Sequence, residues 1–78
     1  MVHTLDITKE HCPMTFVKVK LMLSRIASGD LLDVTLSEGE PLQNVPRSAA
    51  EQGHRIVEIR QEGAAEHAVH HVVIEKRA

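Results

Sequence analysis

Cys12-Pro13-Met14-Thr15-Phe16-Val17-Lys18-Val19-Lys20-Leu21-Met22-Leu23-Ser24-Arg25-Ile26-Ala27-Ser28-Gly29 is the stretch from which the rest of this 78-residue chain can be read. Phe16, Val19, Leu23 and Ile26 recur at spacings of three and four, which lays one apolar stripe along a helix. Lys18, Lys20 and Arg25 fall largely off that stripe. Pro13 suits the first helical position, because its missing N–H would be unpaired there anyway. Gly29 suits a left-handed cap, so the pattern predicts a helix from Pro13 to about Ser28.

Outward from this helix the hydrophobic period changes. Val2 to Ile7 alternates loosely and reads as a strand, with the polar connection Thr8 to His11 behind it. Leu31 to Ser37 reads as a second strand, with Leu32, Val34 and Leu36 facing one way and Asp33 and Thr35 the other. Glu38 to Leu42, holding Gly39 and Pro41, reads as a turn or loop. Asn44 is the expected N-cap of a short second helix through Gln52, with Pro46 in its first turn and Gly53 just beyond its end. His54 to Gln61 reads as a third strand. Gly63, Ala64 and Ala65 mark a turn, and His67 to Glu75 reads as a fourth strand.

The order is therefore β-α-β-α-β-β. The two strand-helix-strand units predict parallel neighbours joined by right-handed crossovers, and the last two strands a hairpin. The expected fold class is α/β (α+β): a two-layer sandwich, a four-stranded mixed sheet with both helices on one face, residues 1–78 forming one domain. The other sheet face is expected to be solvated or used for contacts.

Composition excludes several functions. Phe16 is the only Phe, Tyr or Trp, so stacking platforms for bases are missing and direct nucleic-acid binding is not expected. A formal net charge of -2 offers no broad basic field to nucleic acid or anionic lipid. No apolar run is long enough to span a membrane and no secretory signal pattern is present, so a cytoplasmic protein is expected. Cys12 is the only cysteine, which suits a reducing compartment. No Gly-rich phosphate loop, paired acid and base, or closed metal constellation stands out, so no cofactor and no metal are expected.

Chemistry concentrates at Cys12. At a helix N-terminus its sulfur would lie near unpaired N–H groups and the positive end of the dipole, which favour the thiolate and with it reactivity. Lys9 and His11 are candidate electrostatic helpers, and Thr15 fits a first helical turn, where its hydroxyl can bond locally. Asp6 reads as a solvated or capping acid at a strand end. His54 reads as closing the second helix. Of the remaining histidines, His67 and His71 share one strand face and His70 the other, which suits a solvated or partner-facing strand better than a metal site.

With these elements placed, the chain resembles the TusA/SirA-like family of small sulfur-carrier proteins (sulfurtransferases). Three stretches carry the resemblance: Leu5-Asp6-Ile7 followed by Cys12-Pro13-Met14 and a helix with Lys18 and Leu21; Gly29-Asp30-Leu31-Leu32-Asp33-Val34; and Asn44-Val45-Pro46 followed by Gly53-His54. Thr15 stands where the family's Cys-Pro-x-Pro signature has its second proline. The resemblance implies that Cys12 accepts sulfane sulfur as a persulfide from a cysteine desulfurase or other sulfur-donor protein. It then passes the sulfur to a downstream acceptor protein, in pathways such as tRNA thiolation. Cys12 is the implied catalytic residue. Two alternatives stand beside this: a non-catalytic interaction or regulatory module of the same fold, and a single-cysteine thiol redox protein.

Overall fold

Six elements follow one another: β1 (Val2–Asp6), α1 (Met14–Arg25), β2 (Leu31–Ser37), α2 (Glu40–Glu51), β3 (Arg55–Glu62) and β4 (Val69–Glu75). They come from a computed structural model that describes residues 1–9, 14–37, 39–63 and 69–77, and every side chain among these except those of Met14, Thr15, Glu40 and Pro41. The four strands form one mixed sheet in the order β1-β2-β4-β3. β1 runs parallel to β2, and β4 runs antiparallel to both β2 and β3.

This corrects one expectation. β1-α1-β2 does make parallel neighbours, but β2-α2-β3 does not, because β4 lies between β2 and β3. The reason lies in the side chains. β4 buries Val72 and Ile74 on one face and Val73 on the other, so it suits an interior place. β3 is exposed along nearly its whole length and carries Arg55, Glu58, Arg60 and Glu62, which suits an edge.

The alternation read in β2 is present. Leu32, Val34 and Leu36 are fully buried beneath the helices. Their partners across β4 are Ile74, Val72 and His70. From above, α1 supplies Val19 and Leu23, with Phe16 packed at the margin, Ile26 follows just beyond its end, and α2 supplies Val45 and Ala49. The apolar stripe of α1 is the one its spacing predicts. The core is almost wholly aliphatic.

Helix ends differ from the sequence reading in two places. α1 ends at Arg25 rather than Ser28. The chain then turns at Ala27–Asp30, where the Asp30 N–H donates to Ala27 O at 3.0 Å and Gly29 takes φ +92°. Gly29 thus serves this turn rather than capping the helix directly. α2 starts at Glu40, four residues before the expected Asn44. Pro41, not Pro46, occupies its first turn, and Pro46 lies inside the helix. An interior proline removes one helical hydrogen bond, yet the helix continues because Leu42, Val45 and Ala49 share the face turned to the core. Asn44 is helical, and its Oδ1 accepts a bond from Arg47 at 2.9 Å. The end of α2 is as expected. The His54 N–H donates to Ala49 O and the Gly53 N–H to Ala50 O, a Schellman pair closed by Gly53 at φ +93°.

Among the described residues, His70 is the one polar residue in the buried layer. It is only 7% exposed, and its Nε2 has no hydrogen-bond partner among the described residues. A buried orphaned nitrogen costs about 1–3 kcal/mol. His70→Leu, similar in volume and apolar, should therefore raise the thermal midpoint. A lower midpoint would show that the imidazole is engaged by a group beyond the described residues.

Candidate functional site

The parallel pair β1 and β2 ends on one side of the sheet, where α/β folds gather their sites. There the chain leaves β1 under tight local control. Thr8 donates both its N–H (2.8 Å) and its hydroxyl (2.7 Å) to Asp6 Oδ1. These bonds, the hydroxyl first, hold the Asp6 carboxyl below its ordinary pKa. The Ile7 N–H donates to Thr35 O at 2.8 Å, and the Ser37 hydroxyl donates to Thr8 O at 3.0 Å. Asp6 is therefore the capping acid of the turn, and the chain up to Thr8 is tied to the end of β2. On the far side α1 begins at Met14 and is anchored by buried Val19.

Of the sequence-derived site residues, Cys12, Pro13 and His11 lie outside the described residues. Lys9 lies in the turn after β1 and is exposed, and Thr15 lies in the first turn of α1. The structure thus shows the frame on both sides of the cysteine segment. Sequence reasoning missed the Ser37–Thr8 tie, which joins residues 29 apart. The Asp6–Thr8 bonds had a local signal: an aspartate two residues before a threonine favours such a turn.

Two histidines acquire definite roles. His54 is half-buried, and its Nδ1 accepts the Arg77 N–H at 3.2 Å. Burial, then the Lys76 charge, pushes its pKa down, so the ring is neutral at neutral pH with its proton on Nε2. Its backbone N–H also closes α2, as expected. His67 lies outside the described residues, while His70 and His71 take opposite faces.

His71 lies on the face away from the helices. Its Nδ1 is 2.9 Å from Asp33 Oδ1 and 3.3 Å from Thr35 Oγ1, and its Nε2 is 2.6 Å from Glu62 Oε2. Arg60 joins the cluster with 2.9 Å to Glu58 and 3.5 Å to Asp33. An imidazolium satisfies both carboxylates at once, so the Asp33 bond above all, helped by Glu62 and opposed by burial, raises the His71 pKa. A raised folded pKa gives stability that is complete below the unfolded value of about 6.5 and is lost as pH rises through the folded value. Stability should therefore fall as pH rises above about 6.5. Asp33→Asn should flatten that fall and lower the His71 midpoint in an NMR titration. An unchanged midpoint would exclude Asp33 as its cause.

Among the described residues no group of three or more His, Cys, Asp or Glu is arranged to hold a metal ion. No helix among them is long and apolar enough to cross a membrane.

The sequence profile of the family described as "Sulfurtransferase TusA" matches residues 3–76. The chain belongs to the TusA family. Among relatives of this TusA-family protein is a "Putative sulfur carrier protein" of Archaeoglobus fulgidus, 35% identical over 65 residues, covering 83% of this chain and 74% of the relative. A second is the "Putative sulfur carrier protein TsuB" of Escherichia coli K12, 31% identical over 65 residues, covering 83% of this chain and 87% of the relative. A crystal structure of a SirA-like protein from Desulfitobacterium hafniense superposes with a TM-score of 0.70 at 17% identity, over 95% of this chain and 96% of that one. That likeness establishes the TusA/SirA-like fold: two helices on a four-stranded mixed sheet.

Proposed function

We propose that this TusA-family protein carries sulfane sulfur as a persulfide on Cys12, receiving it from a cysteine desulfurase or other sulfur-donor protein and handing it to an acceptor protein, in tRNA thiolation or other sulfur metabolism. The observation that carries the reading is the family match over residues 3–76, which spans Cys12, the only cysteine of the chain. Cys12 stands two positions ahead of α1, where a helix dipole favours a thiolate.

The loading step balances without any other reactant. The Cys12 thiolate attacks the outer sulfur of the donor's persulfide, the S–S bond of the donor breaks, and the donor leaves as its own thiolate. The acceptor then attacks the outer sulfur on Cys12 and releases the Cys12 thiolate. Lys9 and His11 would stabilise the anions electrostatically, Pro13 would open the helix, and Thr15 would bond within its first turn. A carrier of this kind works between larger proteins.

Intact-mass spectrometry after incubation with a cysteine desulfurase and cysteine tests the reading. A gain of one sulfur atom that disappears on reduction is the expected result. Absence of that gain with desulfurases and with polysulfide, on folded protein with a free thiol, would overturn it.

A further inference from the structure

The two edges of the sheet are built differently. At β3 the pairing shifts between Ile56 and Glu58, and four of its eight residues are charged. Bulges and charges keep an edge from pairing with a further strand. β1, the opposite edge, keeps regular register over its five residues and contains no proline, lysine or arginine.

Backbone parity shows which groups of β1 face away from β2. Met1 O accepts the Leu31 N–H at 3.0 Å, and the Ile7 N–H donates to Thr35 O at 2.8 Å. The odd-numbered residues therefore turn their backbone groups to β2, and Val2, Thr4 and Asp6 turn theirs outward. Beside this edge lies a groove of about 210 Å³ between β1 and α1. Leu5, Leu21 and Met22 form its apolar lining, and Lys18 and Arg25 its basic rim. Leu21 is 54% exposed and Val17, one turn earlier, 41%.

Charge selects the occupant. α1 holds three of the nine cations of the chain and none of its eleven acids. A second copy pairing through β1 about a two-fold axis would bring two such helices together, which like charges oppose. A segment carrying carboxylates meets the rim favourably. We propose that the β1 edge and the α1 groove dock an extended, acidic segment of a different protein. The segment adds a strand to β1, seats apolar side chains on Leu5, Leu21 and Met22, and sets a carboxylate against Arg25. The proposal rests on the sulfur-carrier reading only in making that protein a sulfur donor or acceptor.

The test is an NMR titration of the full chain with a short synthetic peptide of valine and glutamate, and with its valine and lysine counterpart. The acidic peptide should shift the amides of Val2, Thr4 and Asp6 and of α1 around Leu21, less so at high salt. The variant Arg25→Glu should bind it about five-fold more weakly or worse. Thr4→Pro, which removes an outward N–H and spares the bonds to β2, should bind it weakly too, with thermal melts confirming that both variants fold. Equal binding of the lysine peptide, shifts confined to other surfaces, or self-association through β1 in sedimentation would overturn the proposal. Cys12→Ser protein should bind the peptide as the wild type does, so failure of persulfide loading and failure of docking are separate results.

Discussion

Replacing Leu32 by alanine should remove a large part of the stability of this protein. Leu32 is fully buried on the helix-covered face, with Ile74 of β4 on one side and His3 of β1 on the other. Truncating a buried leucine costs about 2–5 kcal/mol, and the cost rises where neighbours cannot collapse into the space. Here the neighbours are held by strand pairing on both sides, which favours the upper half of that range. A domain of this size has roughly 4–12 kcal/mol to lose. The urea midpoint should drop by more than about 1 M at constant slope. Leu21→Ala supplies the contrast: that side chain is 54% exposed, and the change should fall within about 0.5 kcal/mol of wild type. Equal effects from the two would mean that the buried layer is not the one holding the sheet and helices together.

Cys12→Ser should reduce sulfur loading to background. A serine hydroxyl does not ionise near neutral pH and cannot carry sulfane sulfur reversibly, so the substitution removes the acceptor atom itself. No second cysteine exists to take over, and the loss is therefore complete rather than partial. Intact mass is the readout, with unfolding midpoints compared in parallel. A serine variant that still gains reducible sulfur would remove Cys12 from the carrier role.

How much of this was legible depends on how local each feature is. The stripe Phe16, Val19, Leu23, Ile26 and the alternation Leu32, Val34, Leu36 follow from two periodicities and stood out directly. The start of α2 did not. Gly39, Glu40 and Pro41 have the composition of a loop, while Pro46 and Asn44 carry helix-start signals. The shared core face of Leu42, Val45 and Ala49 overrides them. The place of β4 in the sheet was not legible either, because strand order is settled by pairings between distant residues. The same holds for the cluster around His71, whose partner Asp33 is 38 residues away. At the candidate site the sequence proposes Cys12, which lies outside the described residues, and the ties from Thr8 to Asp6 and Ser37 came from the structure.

The central position of β4 bears on how the chain is made. A ribosome delivers β1, α1, β2, α2 and β3 before it delivers Val69–Glu75, yet the sheet joins β2 to β3 only through that last strand. Without it β2 and β3 have no strand between them, and Leu32, Val34 and Leu36 lack their partners on one side. Long-range pairing of this kind is slow and leaves apolar surface open while it waits. Completion of the sheet therefore waits for Val69–Glu75.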